Sequence, residues 1–336
     1  MNGPKVEPSG SLNPALYFEI RLHEASENLV ELHVQNISHG SGNPSPIVGF
    51  TGSVYGPVSK RSRTLPTHYT LMPERAAGRP QQLAYASIPE PCYWNTERPV
   101  LYSVQFDIEY ADGSIADWGR ATGLRRLEVH GSSLLQDRKR TVLRGAVAHG
   151  ASELEIMTAQ KTWSALLVPE PSLARLRDAN ELGVNLAVDL RGVLGDLSAW
   201  LLDLTWHPSV AAVLVDRNAD VSLKPSRLLL CEALDAAADS PDKIAPWADL
   251  IAFELEPGQR PPLWAKGCRK PIIAIRRGRP CDDLSYARRA ADLMQAELAP
   301  DFDLAGYFAA DAGQQEHQVQ VMMRSHGLVG QFKPRD

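Results

Sequence analysis

Near residue 140 the chain changes rhythm, and that change restricts its fold more than any other feature of the sequence. Upstream, "ALYFEIRLHE" (15–24), "LVELHVQNIS" (29–38), "VLYSVQFDIEYADG" (100–113) and "RRLEVHG" (125–131) alternate apolar and polar residues. Period-two alternation bounded by turn residues predicts half-buried antiparallel strands. Their number and spacing predict an immunoglobulin-like β-sandwich over residues 15–130, with residues 1–14 as a disordered tail and the Pro- and charge-rich stretch 56–82 as loop.

Downstream the pattern turns to continuous apolar runs of strand length: "TVLRGAVAHG", "TWSALLVPEP", "VNLAVDLRG", "SVAAVLVD", "RLLLCEAL", "DLIAFELEP", "KPIIAI" and "DLAGYFAAD". Strands that are apolar throughout are covered on both faces, which is the pattern of a parallel sheet. Between them lie helical signals. Ser172 is expected to cap a helix carrying Leu173, Leu176, Ala179 and Leu182 on one face, stopped by Gly183. Asp196 caps a second, with Leu197, Trp200, Leu201 and Leu204, and "DDLSYARRAADLMQAEL" is a third. Eight strands interleaved with helices or loops predict a compact (β/α)8 TIM barrel over 131–336. An open doubly wound sheet is the alternative, and no Gly-rich phosphate loop supports it.

Composition narrows the function. The chain has 336 residues, 44% of them apolar, and a formal net charge of −5, enough for a sizeable core and two domains. No apolar stretch approaches the ~20 residues of a membrane span, and the N-terminal residues lack the apolar centre of a signal peptide. A soluble cytoplasmic protein without membrane association is the expectation. Cys92, Cys231, Cys268 and Cys281 form no CxxC pair, and the nine histidines show no HExxH spacing, so neither a disulfide framework nor a metal site is expected. Nothing in the sequence calls for a cofactor. Basic clusters at 59–63, 137–144 and 266–279 accompany no nucleic-acid-binding module and no net basic charge. They are read as solvated loops and not as a nucleic-acid surface.

Several short segments, in order, carry a family resemblance. Pro99, Leu101 and Tyr102 match a P-x-LY segment, Gly123 and Arg125 a G-x-R segment, and Arg144, Gly145 and His149 an R-G pair with a nearby His. "LRDANELGVNLAVDL", "WHPSVAAVLVDRN", "KPIIAIRRG" and "DLAGYF" with the terminal "HGLVGQFKPRD" follow. Over about residues 90–336 the chain resembles glycoside hydrolase family 2, the β-galactosidase and β-glucuronidase group. The resemblance implies retaining hydrolysis by two carboxylates on the ends of barrel strands four and seven, ~5–5.5 Å apart.

At those positions this chain departs from the family. The Asn-Glu pair of strand four falls on Arg217 and Asn218, and the nucleophile of strand seven on Arg276. An amide carries no transferable proton and a guanidinium is no nucleophile. Strand two has Ser164, Leu167 and Pro169 in place of the usual Asn, Arg and His-Tyr-Pro, and the Trp after strand eight falls on Ala310. The jelly roll that precedes the sandwich in the family is expected to be missing. His207, Pro208, Pro271 and Gly278 keep the scaffold pattern. The resemblance therefore implies a degenerate member, a pseudo-glycosidase with no catalytic residue by the family pattern, that binds a carbohydrate or a protein partner.

Two other expectations stand beside it. Chemistry could have moved to acids at strand ends, with Asp216 and Glu256 as an inverting pair and Asp189, Glu254 and Asp311 nearby. Alternatively, a plain scaffold could dock a partner through Tyr93, Trp94 and Trp118, although a buried core role is the ordinary one for such aromatics. Arg276, Arg277, Arg217 and Asp189 are ligand-binding candidates, the arginines for an anionic sugar, sulfate or phosphate. The plainer reading of Arg276 and Arg277 is that one turns inward and pairs with Asp216, Glu254 or Glu256.

Overall fold

The computed structural model describes residues 18–37, 45–74, 82–193, 195–221, 223–237, 240 and 243–311, with the side chains of 285 and 287 excepted. The expected tail 1–14 and the terminal family-like motif 326–336 lie outside the described residues. Eight antiparallel strands come first: β1 (Phe18–His23), β2 (Leu29–Asn36), β3 (Ile47–Val58), β4 (Thr67–Thr70), β5 (Met72–Pro73), β6 (Gln82–Pro89), β7 (Leu101–Tyr110) and β8 (Ile115–Thr122). They form two four-stranded sheets ordered β1-β2-β6-β5 and β4-β3-β7-β8. Every second residue of β6 and β7 is buried, as alternation requires. Ile20, Leu32, Val54, Ile88, Val104 and Phe106 share one core.

The stretch 56–82, expected as loop, contains β4 and β5. Both are edge strands, short and largely exposed. An exposed edge leaves no apolar alternation to read. A three-stranded sheet follows: β9 (Leu127–His130), β10 (Ser133–Gln136) and β11 (Lys139–Thr141), ordered β11-β10-β9. β9, expected among the sandwich strands, pairs with β10 instead, and Leu134 of β10 is fully buried among the residues filling the barrel.

The barrel itself is closed, eight parallel strands in chain order: β12 (Leu143–Val147), β13 (Ala165–Pro169), β14 (Leu186–Asp189), β15 (Val210–Val215), β16 (Leu230–Leu234), β17 (Leu250–Leu255), β18 (Ile272–Arg276) and β19 (Gly306–Ala309). The open doubly wound sheet is thereby excluded. The residues filling its interior include Leu167, Ala187, Leu214, Cys231, Ala252 and Ile275. Gly145 is required where β12 and β13 converge, because a Cβ there would lie 1.7 Å from the Ala165 carbonyl oxygen.

Helices cover only part of this barrel. α1 (Glu153–Thr162), α2 (Leu173–Leu182), α3 (Leu197–Leu204) and α4 (Leu284–Leu298) follow β12, β13, β14 and β18. The crossovers after β15 and β16 have no α-helix among the described residues, and the one after β17 has a single 3-10 turn, Leu263–Gly267. α1 was not expected. It carries a full capping box, with Ser152 accepting from the Glu155 backbone and Glu155 accepting from the Ser152 backbone. Asp196 caps α3 by accepting from Ser198 and Ala199, whereas Ser172 precedes α2 without a side-chain cap bond.

Sandwich and barrel meet through buried polar contacts. Trp94 Nε1 donates to the Asn180 carbonyl at 2.8 Å, and Trp206 Nε1 to the Phe18 carbonyl at 2.9 Å. Trp118 packs on Trp206 at 4.3 Å between ring centroids. Tyr93, Trp94 and Trp118 are thus all buried, filling the internal joint and core; none is free to anchor an outside partner. Asn180 also holds His207 Nδ1 at 2.9 Å and accepts from the Ser209 backbone. Gly123 leaves no room for a Cβ, which would lie 2.7 Å from Pro208.

Candidate functional site at the barrel mouth

Continuous apolar strands hide which of two consecutive residues faces inward; the packing settles it. Ile273 and Ile275 of β18 belong to the interior, whereas Ile272 and Ala274 pack outward with α4. Arg276 continues the outward set. It is 6% exposed, donates to the Glu256 carbonyl at 2.7 Å, and lies 3.5 Å from Glu297 of α4. The residue matched to the family nucleophile therefore does not face the mouth. Arg277 does, one position on.

Around Arg277 a ladder of alternating charge crosses the opening. Arg191, two residues beyond the Asp189 end of β14, binds Asp189 in a two-pronged arrangement at 2.9 and 2.7 Å. Its remaining terminal nitrogen lies 2.6 Å from Glu254 of β17. Arg277 Nε approaches the other Glu254 oxygen at 3.5 Å, and its Nη1 donates to Glu256 at 3.1 Å. β14 and β17 are the third and sixth strands of eight, so Arg191 reaches from one side of the mouth nearly to the opposite one. Hydrogen bonds donated to Asp189, then the pull of Glu254, hold the Arg191 guanidinium even more firmly protonated than usual; Glu256 does the same for Arg277. Arg191 was not singled out from the sequence, where "LRG" carries no signal beyond following a strand.

The remaining candidates sit on the neighbouring loop. Asp216 follows β15, is exposed, and accepts from the Gly192 backbone at 2.8 Å. Arg217 turns away to bind Glu232 at 2.7 Å, and Asn218 is exposed in the turn. Asp216, Arg217 and Asn218 line a cavity of about 890 Å³ with Asp196, Asp220 and Asp235. Its arginines, Arg191 and Arg217, are in ion pairs, and its other charged walls are carboxylates. Arg279 and Asp311 exchange backbone hydrogen bonds at 2.9 and 2.7 Å, tying the ends of β18 and β19 together. Gly278 is held between them, since a Cβ would lie 2.5 Å from the Asp311 carbonyl.

The structure thus brings together Asp189, Glu254, Glu256 and Arg277 in one chain of ion pairs, and Asp216, Arg217 and Asn218 at one cavity. It leaves Arg276 apart from both. Among the described residues no group of three or more His, Cys, Asp or Glu side chains is placed to hold a metal ion. No helix among them is long and apolar enough to cross a membrane.

A closed eight-stranded parallel barrel joined to antiparallel sheets, with its loops gathered at the C-terminal strand ends, is the architecture of a TIM-barrel-like protein. Several solved structures share this fold. The chain is similar to the Bacteroides uniformis β-glucuronidase, at 13% identity and a TM-score of 0.59, over 87% of this chain and 45% of that one. It is similar to the Parabacteroides merdae β-glucuronidase at 13% identity and TM-score 0.57, over 88% and 47%. The glycosyl hydrolase family 2 member from Bacteroides cellulosilyticus gives 16%, 0.56, 89% and 44%. At such identities the likeness is one of fold. The chain spans under half the length of each of these three proteins. No family model matches it, and neither does any curated protein.

Proposed function

We propose that this chain is a degenerate relative of family 2 glycosidases, an immunoglobulin-like sandwich followed by a barrel whose mouth binds and does not cleave. The ion-pair ladder carries this reading. Glycoside cleavage needs one carboxyl group free to give a proton and another free to attack or to activate water. Here Asp189, Glu254 and Glu256 each have oxygens committed to a guanidinium, and Arg191 spans the space a sugar ring would enter. The cavity beside the ladder, ringed by Asp196, Asp216, Asp220 and Asp235, suits the hydroxyl groups of a neutral carbohydrate or a basic segment of a protein partner. A uronate or sulfate would meet those carboxylates, with Arg277 already paired.

The second reading is hydrolysis by relocated acids. Asp216 and Glu256 both keep the inward parity of Leu214 and Ala252, which favours it enough to be tested. The protein is incubated with activated aryl β-glycosides, glucuronides and galactosides included, beside the Asp216→Asn, Glu256→Gln double variant. We expect no release above buffer from either. Release by the parent that the double variant lacks would replace the proposal with the hydrolase.

A further inference from the structure

At the opposite end of the barrel, where the sandwich and the three-stranded sheet meet the loops before β15 and β16, a cavity of about 190 Å³ is lined by Arg125, Arg126 and Arg227, with Leu22, His207 and Glu128 among its other walls. Three guanidinium groups facing one small space is costly unless something answers their charge.

The partners of these arginines supply only part of that answer, a single carboxylate on Arg126. Arg125 donates to the Pro208 carbonyl at 2.6 Å, the Val210 carbonyl at 3.3 Å, Asn185 Oδ1 at 2.9 Å and Gln136 Oε1 at 3.1 Å, and stacks on Trp94. Arg227 donates to Thr122 Oγ1 and the Gly123 carbonyl. All of these acceptors are neutral. Arg126 lies over the Tyr93 ring and binds Asp137 through Nε at 3.1 Å. Its side chain is 9% exposed, and its Nη1 is buried with no hydrogen-bond partner.

Nearby carboxylates are engaged or outside. Glu19 accepts from Ser226 twice, at 2.6 and 2.7 Å, and from Arg21; Asp203 is bound by Arg120. Glu128 stands exposed at the rim. His207 is neutral near pH 7, because burial lowers its pKa to about 4. Burial also pulls Arg125 down to about 9 and Arg227 to about 10, against the opposing pull of Asp137 on the first and Glu19 on the second.

We propose that this cavity is a binding site for a small oxyanion, such as inorganic phosphate or sulfate, held between the guanidinium groups of Arg125, Arg126 and Arg227. Planar guanidinium forks match the oxygens of such an ion. A cavity volume of about 190 Å³ has room for one tetrahedral oxyanion together with water. The ion joins both sides of the interface, since Arg125 and Arg126 leave the sandwich end while Arg227 precedes β16. It is independent of any binding at the mouth.

The test is calorimetric titration and thermal melting of the full chain with sodium phosphate against sodium chloride at matched ionic strength. We expect one saturable phosphate site, a melting temperature that rises with phosphate beyond the chloride control, and displacement of phosphate by sulfate. Glu128→Gln, at an exposed position that leaves the fold intact, removes the rim carboxylate and is expected to tighten phosphate severalfold. Arg126→Gln is expected to weaken it at least tenfold, and Arg277→Gln, at the other end of the barrel, to leave it unchanged. A parent with no phosphate effect beyond chloride overturns the proposal. So does unchanged affinity in Glu128→Gln, or loss of binding in Arg277→Gln. If Arg126→Gln does not fold, the parent and Glu128→Gln decide.

Discussion

Both ends of the barrel gather arginines, and they are treated in opposite ways. At the mouth Arg191 and Arg277 are a quarter and about half exposed, at 25% and 48%, and each touches two carboxylates. At the base Arg125 and Arg227 are half-buried and donate only to carbonyl, amide and hydroxyl oxygens. In water a guanidinium needs no partner, so the mouth pairs set geometry more than stability. Away from water it must use every donor it has, and an array of carbonyls satisfies the N–H groups while leaving the charge itself unanswered. The base is therefore where arginine holds the molecule together, and the mouth is where it obstructs an opening.

Substitutions at the two ends should differ accordingly. The largest effect is expected from Arg125→Ala, which orphans the Pro208 and Val210 carbonyls and the Asn185 amide at once. Hydrogen bonds to a charged group contribute ~1.5–3 kcal/mol each, so a loss of about 3 kcal/mol or more in urea unfolding is the expected outcome, and a loss under 1 kcal/mol would break the comparison. Next comes His207, also at the base. Its folded pKa is about 4 against 6.5 for an ordinary histidine, so between those values the unfolded chain binds the extra proton. The stability tied to its burial is complete above pH 6.5 and is lost as pH falls toward 4, by about 3 kcal/mol in all. Between pH 6.5 and 4 the stability of the parent should fall more steeply than that of His207→Gln, and above pH 6.5 the two should run parallel. The smallest effects belong to the mouth. Arg191→Gln, which leaves Asp189 and Glu254 without their bridge, is expected to cost about 1 kcal/mol, and Arg277→Gln a few tenths. Equal losses at mouth and base would show that the kind of partner does not separate them.

The sequence made some of this legible and hid the rest for physical reasons. Eight apolar runs mark the barrel strands, because burial on both faces leaves an unbroken pattern. The same unbroken pattern in "IIAI" removes parity, so Arg276 and Arg277 cannot be told apart until α4 and the interior are both in place. α1 announced itself through Ser152 and Glu155, a capping pair easily missed beside the long apolar strands. Ser172 has the right residue type for a cap, yet its hydroxyl makes no such bond, since propensity is only a prior. Inward pairing of one arginine was among the expectations, but Arg191, which completes the ladder, was not. The cluster of Arg125, Arg126 and Arg227 was beyond reach, because a hundred residues separate its members and only the docking of sandwich on barrel assembles it.

The helix-poor sector has a further consequence. Outside β16, a fully buried Glu232 is held by Arg217 at 2.7 Å and by the Ala245 amide at 2.6 Å, in a position where a barrel usually lays an apolar helix. Two crossovers without an α-helix among the described residues can change length at little entropic cost, since closing a longer loop adds only slowly to the penalty. This side is where insertions and deletions can accumulate without re-registering the strands. It makes the barrel a seamed object, with one rigid flank clad in helices and another open to redesign.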